Sequence, residues 1–373
     1  MVAQCACCRA GAMKPSPSRF EGGSKLSQEE ALHAARGTTA RVDERIARYM
    51  AEQHVPGLAL AVVRTGEPEF LRGYGYANVE LSVAAAPDTV FEIASLTKTF
   101  TAAAVLILCQ DGAVALGDPI GWHLPDLPPA WRPVTLLQLL THTSGIRDYT
   151  GVPAYWATTR LDVPREAILA LVRDLPLDFA PGTDWAYSST GYYLLGLLIE
   201  RRSGSTYGEF LRERIFEPLG MHDTRLNDPY EVVPRRAAGY AWRGSVLRNK
   251  EYYSPSGTWA AGALLSTVAD LARWDRAYSS GVLLQAGFRA QSADVGRTPT
   301  PAECANGFTM GLGWYLFGDL RQGVMRHNGS IEGFASEMAR YFPRGPTVVV
   351  CCNSGSADGL HLLADDIAAC WGR

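Results

Sequence analysis

The sequence predicts an α/β (α+β) fold: an antiparallel sheet flanked by N- and C-terminal helices, with an inserted all-helical domain. Three observations carry this. Strand-like apolar runs occur near both ends of the chain, the middle shows helical spacing broken by Pro- and Gly-bearing loops, and the C-terminus closes on an amphipathic stretch. The expected domains are 1–38, a mobile N-terminal segment; 39–112 with 256–373, the α/β domain; and 113–255, the helical domain. A cleft between the last two is the natural place for a site.

Each element follows from local pattern. Residues 14–38 are rich in Pro, Ser, Gly and charge, and read as a mobile lead-in. From about Thr39, the spacing of Val42, Ile46, Tyr49 and Met50 is helical, and Pro56–Gly57 stops it. Leu58–Arg64 and Glu69–Tyr76 read as strands joined by a turn at Thr65–Pro68. Residues 95–111 form an Ala- and Leu-rich helix ending at Gly112. From 113 to 255 no convincing strand pairs are visible. Gly311–Phe317, Gly323–Arg326, Gly333–Phe342 and Thr347–Asn353 then fit antiparallel pairing. A closing helix over 357–371 presents Leu360, Leu363, Ile367 and Trp371 on one face.

Composition narrows the function classes. A net charge of −3 on 373 residues gives no electrostatic reason to expect nucleic acid or an anionic membrane as partner. The apolar stretch Ala102–Cys109 is far shorter than the ~20 residues a membrane span requires. Residues 1–13 make a poor signal peptide. Eight cysteines occur without a disulfide framework: Cys5, Cys7 and Cys8 crowd the N-terminus, and Cys109 and Cys351 sit in apolar runs. Reduced thiols, and so a cytoplasmic protein, are expected, with periplasmic or secreted placement left open. Seven histidines are scattered with no HExxH or HxH pair, and the N-terminal cysteines lack a second ligand cluster, so no metal is expected.

The chemistry begins at Ser95-Leu96-Thr97-Lys98. On a helix, residues i and i+3 share a face, so the lysine amine can approach the serine hydroxyl. A free serine is a weak nucleophile and needs an adjacent base. Lysine serves only when desolvation or a neighbouring cation lowers its pKa. With 22 serines and four lysines, chance spacing alone could produce such a pair. However, a chain with 35 basic residues and only four lysines uses lysine at 98, where arginine would hold its proton. Two further elements follow in order: Tyr187-Ser188-Ser189, and His327-Asn328-Gly329-Ser330 at a predicted strand end. No G-x-S-x-G pentapeptide occurs, which argues against the α/β-hydrolase route to this chemistry.

In this order the three elements resemble the serine β-lactamase and penicillin-binding-protein superfamily, on its branch of class C β-lactamases, DD-peptidases, D-aminopeptidases and family VIII esterases. Supporting text includes Leu139-Leu140-Thr141-His142-Thr143-Ser144-Gly145, Leu194-Leu195-Gly196, Pro218-Leu219-Gly220-Met221 and Ala260-Ala261-Gly262. The resemblance covers about residues 40 to 373 and implies a β-lactamase/transpeptidase-like fold. It implies Ser95 as nucleophile, Lys98 as its proton-transfer partner and Tyr187 as a proton shuttle that then activates water. The N–H groups of Ser95 and Ser330 would form the oxyanion hole, and no cofactor is implied. Ser189, His327, Asn328 and Gly329 would bind substrate.

Two departures bear on substrate. Ser189 stands where the lactamases usually carry Asn, and His327 replaces the usual third-motif lysine, weakening the charge that would greet a carboxylate. Arg326 could compensate, although a neighbour on a strand points to the opposite face. Tyr149, Tyr155 and Trp156 could line an acyl pocket or serve packing. His142 reads as structural, and Glu92 and Asp184 have no defined partner. The leading expectation is a carboxylesterase with weak or no β-lactamase activity. A β-lactamase, a D-amino-acid or DD-peptidase, a penicillin-binding module that acylates without turnover, and an acyltransferase stay open. The partner is then a small ester, β-lactam or short peptide. The acylation base, Lys98 or Tyr187, is also open.

Overall fold

The computed structural model describes residues 28–67, 69–286, 298–319 and 321–372. Pro68 of the first expected turn, the N-terminal cysteines and most of the expected lead-in lie outside them. The chain divides into two compact units, Met1–Ala40 and Arg41–Arg373. Helix α1 (Gln28–Glu52) starts eleven residues before the expected Thr39, inside the stretch read as mobile.

The second unit is built on an eight-stranded sheet. Its strands are β1 (Gly57–Val63), β2 (Phe70–Asn78), β3 (Val83–Ala84), β9 (Thr309–Met310), β10 (Tyr315–Phe317), β11 (Val324–Ile331), β12 (Phe334–Tyr341) and β13 (Thr347–Cys352). Their order is β3-β2-β1-β13-β12-β11-β10-β9, with every pairing antiparallel. The first and last strands of the chain pair inside the sheet, Leu58 with Cys352 and Val62 with Val348. Both faces are covered, so β1 (GLALAVV) and β13 (TVVVCC) are buried at every position. On one face Leu58, Leu60, Val348 and Val350 pack with Val42 and Ile46 of α1 and with Leu363 and Ile367 of the C-terminal helix. On the other, Ala59, Ala61, Val349 and Cys351 join a core that runs on into the helical region.

Between these strand sets lie β4 (Phe91–Glu92), a 3-10 turn (Ala94–Leu96) and α2 (Thr97–Gln110). There follow α3 (Leu136–Leu140), α4 (Pro153–Trp156), α5 (Arg165–Ala170), α6 (Ser189–Ser203), α7 (Tyr207–Leu211) and α8 (Glu217–Leu219). Strands β5 (Arg225–Leu226), β6 (Tyr240–Arg243) and β7 (Val246–Asn249) come next, then α9 (Pro255–Gly262), β8 (Leu264–Ser266) and α10 (Val268–Ser280). Helices α11 (Pro301–Asn306) and α12 (Leu360–Ala369) complete the described α-helices. The stretch 113–255 is therefore not all-helical: β5 joins β4 and β8 in a small sheet, and β6–β7 form a hairpin. Gly311–Phe317 is not one strand either, since β9 and β10 are separate and pair with each other.

Helix α2 is apolar all round and buried along Thr97–Leu108, the pattern of a core helix. Its first turn carries Lys98 into the interior. No helix among the described residues is long and apolar enough to cross a membrane. The five described cysteines are free.

Candidate active site

Ser95 sits in the 3-10 turn that leads into α2, one residue after Ala94 in a left-handed conformation (φ 47°). Non-glycine residues hold that conformation only when their surroundings impose it. Two others lie close by: His142 (φ 57°) and Trp259 (φ 34°), the latter breaking α9 just before Ala261. Backbone strain thus gathers around the serine.

One turn on, the fully buried Lys98 directs Nζ to the Ala261 carbonyl at 2.7 Å, with Ser95 Oγ and Ser189 Oγ each at 3.4 Å. Its amine also lies 4.7 Å from the Tyr187 ring centre and 5.5 Å from that of Tyr192. No carboxylate pairs with it among the described residues. Burial pulls its pKa down to about 7, against a weaker upward pull from Asp148. The lysine is therefore poised to exchange a proton near neutrality.

Tyr187 precedes α6, whose N-cap is Ser188, and its ring faces the Lys98 amine, with Ser95 among the groups that act on its hydroxyl. Burial and the neighbouring Tyr315 raise its pKa well above the usual phenol value, the Ser95 contact opposing them. It is a neutral phenol at neutral pH. Asp148, which sequence reasoning missed, accepts the backbone N–H groups of Ser189 (3.2 Å) and Thr150 (3.2 Å), tying the start of α6 to the Tyr149 loop. Its signal was local: an acidic residue three positions after Gly145, just beyond the segment already singled out.

The third motif lies inside a strand rather than at its end, because β11 continues to Ile331. Alternation along β11 then separates its residues. His327 and Gly329 are buried toward the serine turn, whereas Arg326, Asn328 and Ser330 project to the other face. A Cβ on Gly329 would stand 2.1 Å from the Ile93 carbonyl oxygen, so glycine lets β11 press against the nucleophile's turn. The His327 ring packs 5.3 Å from Tyr315 and 6.5 Å from Tyr187, and its Nδ1 donates to the Asn328 carbonyl at 2.7 Å. Burial, then Lys98, lower its pKa to about 3. His327 is neutral and supplies no fixed charge. Arg326 does not compensate: it turns away to Asp365 at 2.6 Å on α12. Asn328 is exposed and lines a cavity of about 610 Å³ beside α12, which shares Ser330 with the serine's cavity.

Ser95 opens into a cavity of about 840 Å³ lined by Tyr149, Trp156, Tyr187, Ser189, Tyr252, Tyr253 and Ser330, among others. Tyr149 and Trp156 therefore sit at the pocket, with Tyr149 buried in the wall and Trp156 60% exposed. Tyr155 is buried behind them, its hydroxyl bonded to that of Tyr253. Arg160 and Glu251, an ion pair, also line the cavity. Strand β10 covers β11 only as far as Arg326, which leaves the β11 edge free of strand pairing from His327 onward.

The two acids without expected partners have them. Glu92 is buried against Lys250 and against Arg236 at 3.3 Å, and Asp184 accepts from the backbone of Trp185 and Ala302. Among the described residues no His/Cys/Asp/Glu group could hold a metal ion.

A profile of the Beta-lactamase family matches residues 42–369. Penicillin-binding protein 4* of Bacillus subtilis (strain 168) is 30% identical over 323 residues, covering 82% of this chain and 69% of that protein. Protein flp of Staphylococcus aureus (strain N315) is 29% identical over 329 residues, and the chain spans only 63% of its length. Among solved structures, the D-amino acid amidase from Ochrobactrum anthropi SV3 superposes with a TM-score of 0.79 at 29% identity, covering 91% of this chain and 98% of that one. The octameric penicillin-binding protein homologue from Pyrococcus abyssi gives 0.78 at 28% identity, covering 90% and 78%. The chain belongs to the Beta-lactamase family, within the serine β-lactamase and penicillin-binding-protein superfamily.

Proposed function

We propose that the protein is a serine hydrolase working through a Ser95 acyl-enzyme, and that its leading activity is carboxylesterase, with weak or no β-lactamase turnover. The observation that carries this is an amine with a pKa near 7, 3.4 Å from a serine hydroxyl at the head of an aromatic cavity. Neutral Lys98 takes the Ser95 proton as Oγ attacks the acyl carbon. The oxyanion is held by the N–H groups of Ser95 and Ser330, the latter on the uncovered edge of β11. Collapse expels the alcohol, which receives a proton through Tyr187. Water then attacks the acyl-enzyme, giving its proton back through Tyr187 and Lys98, and releases the acid. Lys98 is assigned as acylation base because Tyr187 lacks an accessible phenolate.

The ester preference rests on charge. The third motif offers neutral His327 where a cation would meet a β-lactam carboxylate, and Arg326 faces α12. Tyr149, Trp156, Tyr252 and Tyr253 favour an apolar acyl or alcohol group. A second reading, an amidase of D-amino acid amides, is favoured by the likeness to the Ochrobactrum enzyme over nearly that enzyme's full length. Turnover of a chromogenic ester, a D-amino acid anilide and a chromogenic cephalosporin distinguishes these readings. Sustained ester turnover above both others is expected. Faster anilide turnover installs the amidase, faster cephalosporin turnover the lactamase, and a one-equivalent burst the binding module.

A further inference from the structure

We propose that His142 is the positioning residue of Tyr187, gripping the N–H groups of the residues on both sides of it and backing its ring. This rests on the hydrolase reading above, in which Tyr187 relays protons. The His142 carbonyl accepts the Ala186 N–H at 3.1 Å, and its Nδ1 accepts the Ser188 N–H at 3.0 Å. One residue thus holds the N–H groups of the two residues that flank Tyr187. Its ring lies 4.5 Å from the Tyr187 ring at 30°, and 5.1 Å from Tyr192 at 36°.

The choice of histidine argues for more than packing. Because Nδ1 accepts, the ring proton resides on Nε2, which is buried with no hydrogen-bond partner among the described residues. Phenylalanine would fill the same space without burying an orphan donor, a costly arrangement. What histidine adds over phenylalanine is the Nδ1 acceptor. That acceptor survives only while the ring is neutral, and burial, with Lys98 and His327 nearby, holds the pKa well below the usual imidazole value. The left-handed backbone at 142 (φ 57°), just past the C-cap Thr141 of α3, aims carbonyl and ring at the same loop. In this role His142 fixes the phenol beside Ser95 without touching substrate.

The test measures kcat and KM for an activated ester in His142→Phe (ring kept, acceptor lost) and His142→Asn (acceptor kept, ring lost). Each is made with Tyr187 and with Tyr187→Phe. For His142→Phe, kcat should fall by about 100-fold, the scale of a misplaced catalytic group, with KM little changed. His142→Asn should retain more of kcat. In the Tyr187→Phe background either further loss should shrink to within a factor of about two, because the groups act as a unit. An equal loss in both backgrounds would mark His142 as merely structural, and an unchanged kcat would dismiss it. Should His142→Phe fail to melt cooperatively, the Asn variant carries the same cycle. Ser95→Ala runs alongside: turnover there overturns the hydrolase reading itself. A dead Ser95→Ala beside a fully active His142→Phe overturns the His142 role alone.

Discussion

Two lysines attach to the segment from Phe91 to Lys98, and their surroundings differ in depth of burial and in the presence of a carboxylate. Lys250 sits against buried Glu92, which also holds Arg236. Lys98 is more deeply buried, yet it is offered only a carbonyl and two hydroxyls. A lysine beside a buried carboxylate ties segments together as an ion pair. A lysine denied one loses its proton near neutrality and becomes a base. Within seven residues the fold builds a strut and a reagent from the same side-chain chemistry.

The comparison can be broken from either side. Lys98→Met should cut acylation by about 10²–10⁴-fold, measured as single-turnover release from an activated ester. Its stability should move the other way. The folded pKa of about 7 lies below the unfolded value, so the wild type gains stability as pH rises from about 7 toward 10.5. Thermal melts of Lys98→Met should lack that slope and exceed the wild type below pH 7. Glu92→Ala should do the reverse, costing about 2–3 kcal/mol in denaturant unfolding by leaving two cations without their carboxylate. Activity per folded molecule should stay near wild type.

Smaller changes sharpen the contrast. Ser189→Asp places a carboxylate where a hydroxyl lies 3.4 Å from Lys98 Nζ. The midpoint of the acid limb of acylation should then rise by roughly 1–3 pH units, converting the reagent toward the strut. Trp156→Ala should have the least effect, raising KM for aryl esters about threefold with kcat kept, since the indole is mostly exposed at the cavity.

Much of the fold was legible because its signals are local. The apolar runs of β1 and β13 and the spacing of Ser95 and Lys98 need no partner to be read. The β6–β7 hairpin was missed although Gly244-Ser245, with Gly244 at φ 66°, is a two-residue turn signal between short strands. The third motif was expected at a strand end, whereas pairing with β12 carries β11 on to Ile331. The partners of Glu92 lie 144 and 158 positions away, and the Ser188 amide that His142 grips lies 46 away. Such contacts are set by tertiary packing, which no short window contains.

The most direct test of a neutral Lys98 as base is the pH dependence of single-turnover acylation between pH 5 and 9. A single ionisation with a midpoint near pH 7, rate rising as the amine loses its proton, and lost in Lys98→Met, is the expected result. A rate independent of pH across that range, or a limb that persists in Lys98→Met, would contradict it.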